Sequence, residues 1–276
     1  MPRKAKTQVA LTPLDMSFED VLFRHRDFGQ RRSANWDELH QVMNRSRREI
    51  ESDATLASQF AKIKASCICS PGAIINVLRI LEGTSDTNLL TDICFDNLKP
   101  LSDGSVKLIA PEPGFYKGAN ISQLSQPVCE ALESYIIPSH DSNTILPNFF
   151  VEAWWDCSQS LASERQSFYV GCICARAMQT LQSYQTDLIF DGNAYSIAVV
   201  YHHKILKLYS INPTDPGDRY PARYNMDILS SFSIDDVSSL RAAVTAYRNL
   251  RDWAKEKRDE FIRVANEKVI LTISPI

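Results

Sequence analysis

The chain has 276 residues, of which 44% are hydrophobic and 23% are charged, with a formal net charge of −3. This composition is ordinary for a folded protein and shows none of the overall basic character typical of nucleic-acid binding, although it does not exclude local basic patches. No apolar run approaches the roughly 20 residues that a membrane span requires, and the first residues do not resemble a signal peptide. We therefore expect an intracellular protein, nuclear or cytoplasmic, with no membrane partner.

Residues 1–16 are predicted to form a short, basic, disordered tail, and residues 17–85 a helical region. Ser17 is a suitable N-cap for a first helix, and apolar residues recur at helical spacing in the segments 35–51, 53–66 and 71–82. We expect these helices to pack on the core that follows. They contain no titratable cluster with a catalytic pattern.

A basic segment overlaps the first predicted helix and continues beyond it, with Arg24, Arg26, Arg31 and Arg32. Such a segment is typical of an arm that contacts nucleic acid or an acidic partner. The alternative, which we favour, is a solvated helix face. The four arginines are kept as candidates for partner binding.

Residues 86–276 are predicted to form the core. Strands are predicted around Glu152 and for 91–98 and 105–110 (with a turn at 102–104), 188–190, 194–202, 204–211 and 269–273. Helices are predicted for 121–137, for the run that ends near Tyr184, and for 234–268. Residues 212–224 are rich in Pro, Asp and Gly and are predicted to form a loop.

This order predicts an α/β or α+β fold, with a sheet covered by helices and a helical N-terminal extension. The sequence contains no G-x-G-x-x-G, P-loop, G-x-S-x-G or H-E-x-x-H motif, so it lacks the signatures of the common nucleotide-binding and hydrolytic folds. The last helix mixes acids with Arg248, Arg251, Lys255, Lys257, Arg258 and Arg263. Mixed signs favour a solvated, ion-paired face over a phosphate-binding one.

Seven cysteines, an odd number, are typical of reduced thiols inside the cell. Cys67 and Cys69, and Cys172 and Cys174, form two C-x-C pairs that could in principle bind zinc. Structural zinc sites usually have wider spacing, and residues two apart on a helix do not share a face. We interpret these cysteines as small core residues and expect no cofactor.

Glu152 is the most informative single residue, because it is a carboxylate inside an apolar strand, PNFFVEAWW (147–155). A buried charge requires a partner or a function. Side chains two apart on a strand share a face, so Phe150, Glu152 and Trp154 are predicted to point the same way.

Several sequence blocks occur together: PGFYKG (113–118), IIPS (136–139), PNFFVEA (147–153), ERQ (164–166), ARAM (175–178), LQSY (181–184), NAY (193–195), RN (248–249) and DWA (252–254). On these blocks, the chain from about Ser17 to Asn266 resembles a group of fungal proteins with a PD-(D/E)XK nuclease-like core. The resemblance implies a restriction-endonuclease-like fold with a mixed central sheet.

The resemblance also implies a site. In PD-(D/E)XK nucleases an Asp and a second acid bind Mg²⁺, a Lys follows two residues after the second acid, and a Gln on the next helix supports the site. The Asp position falls on Gly114, the second acid on Glu152, the Lys on Trp154 and the Gln on Gln166. The resemblance therefore implies a vestigial site that has lost its aspartate and its lysine.

The favoured interpretation is a pseudonuclease that serves as an interaction or scaffold subunit of a larger assembly. Trp154 and Trp155 would anchor a protein partner. The alternative is that they have only a structural role, with one tryptophan in the core and the other half-exposed. A first alternative is a Mg²⁺-dependent nuclease with a rearranged site, in which Glu112 or Glu130 joins Glu152. A second alternative is a non-catalytic nucleic-acid-binding protein that uses the arginines above. A homo-oligomer is left open.

Overall fold

The computed structural model describes residues 11–12, 16–26, 32–65, 71–83, 94–101, 107–140, 143–154, 160–217 and 222–273. In these ranges the helices are α1 (Met16–His25), α2 (Trp36–Met43), α3 (Arg48–Glu51), α4 (Leu56–Ala65), α5 (Pro71–Glu82), α6 (Gln126–Ile136), α7 (Ser160–Gln182) and α8 (Val237–Ile273). The strands are β1 (Phe115–Asn120), β2 (Thr144–Trp154), β3 (Ser196–His202), β4 (Ile205–Thr214) and β5 (Arg223–Ser233).

The five strands form one mixed sheet in the order β1-β2-β3-β4-β5. β2 and β3 are parallel, and the other neighbouring pairs are antiparallel. A parallel pair requires a crossover connection, and α7 lies in the connection between β2 and β3. Side chains alternate along β2, so Phe150 packs with α7 on one face, whereas Phe149 and Val151 pack with α8 on the other. The predicted mixed α/β fold with flanking helices is confirmed.

Three apolar clusters fill the space between the layers. The largest joins α2–α5 and α8 to one face of the sheet. A second joins α1 and α7 to the other face, and a third gathers α6 and the ends of α7 and α8. α8 therefore contributes to two of the three clusters. The predicted helices between residues 17 and 82 are present, but the single helix predicted for 35–51 is divided into α2 and α3 by residues 44–47, and α1 begins at Met16, so Ser17 is not its N-cap.

The predicted strands 91–98 and 105–110 are wrong in their described parts. Residues 94–98 have no strand assignment, and in 107–110 only Leu108 forms an isolated bridge, to Leu11 of the predicted tail. Phe95 and Leu108 are buried in the cluster around α7, so the apolar pattern reflects burial of an irregular loop. The predicted turn 102–104 lies outside the described residues, as do most of residues 1–16.

Three further predictions need correction, and two strands were missed. Residues 188–190 are not a strand, and the predicted loop 212–224 instead contains the end of β4 and the start of β5. β1 and most of β5 were not predicted, because polar residues interrupt both apolar patterns and Gly118 also interrupts that of β1. The predicted strand 269–273 is the last part of α8, because Val269 follows Ala265 at helical spacing and both are buried.

Candidate functional site

The pairing of β1 with β2 brings the predicted Asp position and the predicted acid together. Phe115 on β1 is the antiparallel partner of Val151 on β2, so Gly114 lies beside Glu152. Trp154 follows Glu152 by two residues on the same strand and therefore lies on the same face. The structure thus brings Gly114, Glu152 and Trp154 together.

The Glu152 carboxyl group is enclosed, because only 4% of the residue is exposed. Burial raises its pKa to about 8, against the opposing effect of hydrogen bonds from the Trp154 side chain and the Gly114 backbone N–H. Its Oε1 atom has no hydrogen-bond partner among the described residues. Near neutral pH this carboxyl group is therefore mostly protonated.

The remaining residues of the predicted site lie in different surroundings. Gln166 is buried on α7, and no hydrogen bond joins it to Glu152 within the described part of the chain. Glu112 is exposed, and Glu130 is exposed on α6, where it accepts a hydrogen bond of 2.7 Å from Gln126. The two additional acids thus face solvent, whereas Glu152 is buried.

Two of the candidate arginines contact aromatic rings of their own chain. The guanidinium carbon of Arg26 lies 5.4 Å from the centre of the Phe168 ring, and that of Arg32 lies 4.6 Å from the Trp36 ring. Arg24 is exposed on α1. Arg31 and Trp155 lie outside the described residues. Arg26 and Arg32 are thus each placed against an aromatic ring, on α7 and α2 respectively.

A basic pocket that the sequence did not predict lies between α5, β1 and α8. Its volume is about 330 Å³. Four cationic side chains line it: Lys117, Arg251, Lys255 and Arg258. Glu82 and Asp252 are the acids that line it, and Gly118 forms part of its wall. This pocket combines residues from the helical N-terminal region with residues from the sheet and the last helix.

Glu82, at the end of α5, organises one side of this basic pocket. Its side chain is 5% exposed. It forms ion pairs with the Lys117 ammonium at 3.2 Å and the Arg251 guanidinium at 3.1 Å, and it accepts a hydrogen bond of 2.5 Å from the Tyr247 hydroxyl. A buried carboxylate is stable only when it is paired and hydrogen-bonded, and Glu82 is both. Lys117 and Arg251 are therefore held in place by a shared anion.

A break in the register of β1 and β2 shapes the pocket wall. The register shifts between Lys117 and Ala119, where Gly118 faces a bulge formed by residues 146–148. A Cβ atom on Gly118 would lie 2.3 Å from the carbonyl oxygen of Ile145, a distance that no side chain tolerates. Glycine at 118 therefore lets the two strands approach at the bulge.

The bulge also turns Asn148 towards α8. Leu146 in the bulge has a φ of 53°, a left-handed conformation that is rare for leucine. Asn148 is fully buried and donates hydrogen bonds to the carbonyl oxygens of Tyr195 (3.1 Å) and Ala254 (2.8 Å). Its own carbonyl oxygen accepts a hydrogen bond of 2.6 Å from Arg258.

Arg258 contradicts the prediction of a solvated face on the last helix, because only 3% of the residue is exposed. Burial lowers its pKa from the usual value, against a smaller opposing effect of Asp259. The sequence did carry a signal for this burial. Arg258 occupies the position between Ala254 and Ile262 in a series of buried residues spaced four apart along α8.

The described cysteines fit the prediction of small core residues in part. Cys172 and Cys174 are buried and free, and burial is the main cause that raises their pKa values. Cys67 and Cys69 lie outside the described residues. Within the described ranges, no three His, Cys, Asp or Glu side chains gather in a metal-binding arrangement. None of the described helices is both long and apolar enough to cross a bilayer.

No family model matches this chain, and neither a curated protein nor a solved structure matches it. The resemblance to PD-(D/E)XK proteins and the restriction-endonuclease-like fold therefore stay predictions from the sequence.

Proposed function

We propose that this chain is a catalytically inert, nuclease-like protein that acts by binding a protein partner within a larger intracellular assembly. The observation that carries the proposal is the contact between Trp154 and Glu152. The tryptophan stands where the resemblance places the nuclease lysine, and its side chain donates a hydrogen bond to the remaining acid. The position that would stabilise a reacting phosphate is thus used to hold a buried carboxyl group.

The residues present do not fit the Mg²⁺ site that the resemblance implies. Mg²⁺ is held by ionised carboxylates and retains several waters, so it needs charge and space. Glu152 has a pKa of about 8 and is almost completely enclosed. Gly114 brings a backbone N–H group to Glu152, and a donor of this kind repels a cation.

The two additional acids do not restore the site. Glu112 and Glu130 are both exposed, and Glu130 is hydrogen-bonded within its own helix. A metal held by either residue would be exposed to water, and the carboxyl group of Glu152 would stay buried. Because exposed and buried carboxyl groups do not form one metal site, these positions support a protein-binding role over a nuclease with a rearranged site.

Trp154 is also the residue that we assign to the partner surface. It is half-buried at the end of β2, so one part of the side chain is fixed by Glu152 and another part is accessible. A tryptophan that is held in place loses little conformational entropy on binding, and tryptophan is among the residues that contribute most to protein interfaces.

The absence of catalysis is tested with purified protein, single- and double-stranded DNA and RNA, and added Mg²⁺ or Mn²⁺. We expect no cleavage above the buffer control, and the same result for Glu152→Gln. Metal-dependent cleavage that Glu152→Gln abolishes would overturn the proposal.

Partner binding is tested by co-purification from the native cells, with stability checked by circular dichroism. Trp154→Ala should lose a protein that the wild type retains. Ile228→Ala is the matched control, because Ile228 is an exposed apolar residue on β5. Equal recovery of that protein with both variants would contradict the assignment of Trp154 to the interface.

A further inference from the structure

We propose that the basic pocket between α5, β1 and α8 binds a phosphate monoester group. None of its lining residues belongs to the Gly114–Glu152–Trp154 cluster, so this inference does not depend on the proposed function. The proposal stands on three features of the pocket: its charge, the environment of Arg258, and the arrangement of its less and more exposed cations.

The pocket carries a surplus of two positive charges. Four cations and two carboxylates line it. This surplus is that of the lining residues themselves. Outside the pocket, Asp259 pairs with Lys255 at 2.5 Å, and Arg47 pairs with Asp252 at 2.8 Å but is shared with Glu49 at 2.6 Å. A phosphate monoester carries a charge of roughly −1.5 to −2 at neutral pH, so one such group would balance this surplus.

Arg258 is the cation whose surroundings most require an anion. It is 3% exposed, and its hydrogen bond of 2.6 Å goes to the neutral amide of Asn148. Its Nε atom is buried without an acceptor among the described residues, and Asp259, the carboxylate that acts on it, is itself paired with Lys255. A buried cation whose charge is only partly compensated is unfavourable, and an anion in the adjoining pocket would remove much of that cost.

The four cations divide into two kinds. Arg251 and Arg258 are fixed, the former by Glu82 and Asp252 and the latter by Asn148. Lys117 and Lys255 are more accessible, with side chains that are 39% and 64% exposed. The arginines can present planar, pre-positioned donors to phosphate oxygens, and the more exposed ammonium groups of the lysines can add further contacts, with Lys117 still paired with Glu82.

The volume of about 330 Å³ is suited to a small group, and the pocket lies at a concave junction of three elements. Phosphate is favoured over carboxylate because it supplies three acceptor oxygens and more negative charge to four cations. The chemistry is shared by inorganic phosphate, a nucleotide and a phosphorylated amino acid.

The test measures binding to the full chain by isothermal titration calorimetry and thermal unfolding at fixed ionic strength. The probes are inorganic phosphate, a nucleoside 5′-monophosphate and O-phosphoserine, with sodium acetate and sodium chloride as controls. We expect saturable binding of at least one phosphate probe and a rise in Tm that the two control salts do not produce. The tightest probe then identifies the source of the phosphate.

Lys255→Gln and Arg263→Gln form a matched pair of variants. Both residues are on α8, have similar exposure and form an ion pair with an acid four residues later, but Lys255 alone of the two lines the pocket. Loss of one charge-assisted contact should weaken phosphate binding about 10-fold in Lys255→Gln. Arg263→Gln should bind as the wild type does.

Three outcomes would overturn the proposal. They are no saturable binding of any phosphate probe at millimolar concentrations, equal stabilisation by acetate, or equal weakening in both variants. The first means that the pocket takes no phosphate, and the second that it does not select a dianion. The third means that phosphate binding depends on the net charge of the protein and not on Lys255 in the pocket.

Discussion

Arg258 on α8 donates a hydrogen bond of 2.6 Å to Asn148 on the bulge of β2, and both side chains are buried. Asn148 also binds the backbone of β3's leading segment through Tyr195 and the backbone of α8 through Ala254. One amide therefore ties two strands and the longest helix together. Replacing a buried polar side chain usually leaves its hydrogen-bond partners unsatisfied, and Asn148 has three such partners.

Asn148→Ala should destabilise the fold strongly. The substitution removes three hydrogen bonds and leaves the Arg258 guanidinium buried with no acceptor among the described residues. Breaking a buried interaction of this kind costs about 3–5 kcal/mol, which urea unfolding would detect as a lower midpoint. Asn44→Ala is the control, because Asn44 is exposed and bonds within its own helix end, and it should change stability by less than about 1 kcal/mol. Equal effects of the two substitutions would contradict this role.

Gly118→Ala should also destabilise, for a steric reason. The new Cβ would lie 2.3 Å from the Ile145 carbonyl oxygen, so the bulge would have to move. A forced backbone shift of this kind costs about 1–3 kcal/mol. Gly72→Ala on α5 is the control, because nothing lies within 4 Å of its added Cβ, and it should be neutral or stabilising by up to about 1 kcal/mol. Thermal unfolding of the two variants checks the difference in sign.

Glu152 should make the fold less stable as pH rises. Its folded pKa of about 8 lies above the ordinary value of 4.5. The folded state therefore binds more protons than the unfolded state between these values, so the stabilising contribution is complete below the lower value and is lost as pH rises through the higher one. Glu152→Gln should abolish this dependence, which amounts to a few kcal/mol between about pH 5 and pH 9. Urea unfolding of both proteins at the two pH values measures it, and a parallel pH profile would refute it.

Trp154→Phe should make that pH dependence steeper. The substitution keeps an aromatic ring but removes the donor that lowers the pKa of Glu152. A hydrogen bond to a charged group is worth about 1.5–3 kcal/mol, so the variant should lose more stability near pH 9 than near pH 5. In a Glu152→Gln background the difference between the two pH values should vanish. An equal loss at both pH values would indicate that Trp154 acts only by packing.

The fold was predictable where apolar spacing alone decides the structure. The helices α1–α5, α7 and most of α8 follow such spacing, and so do β2 and β3. β1 and β5 were missed because a strand rich in polar residues is stabilised by its neighbouring strands, which the local sequence does not reveal. The end of α8 was assigned to a strand because a short apolar run such as 269–273 has no distinctive period.

The candidate site was predictable in part. Gly114, Glu152 and Trp154 were considered together from the sequence, and the pairing of β1 with β2 places them side by side. The basic pocket was not anticipated, since it depends on Glu82 reaching Lys117 and Arg251 across the packed helices. Arg258 could have been flagged by its place among buried positions, but its acceptor, Asn148, is aimed by a bulge that no local pattern reveals.

The wide reach of α8 has a consequence for how the chain is made. A ribosome synthesises α2–α5, which end at Glu82, long before Val237–Ile273. Until then the apolar residues of the largest cluster, from Leu39 to Leu81, face the space that Leu240 to Ala254 will fill. Exposed apolar surface of this kind attracts chaperones and promotes aggregation. The nascent chain is therefore expected to need chaperones for most of its synthesis, and to bury this apolar surface only when α8 emerges.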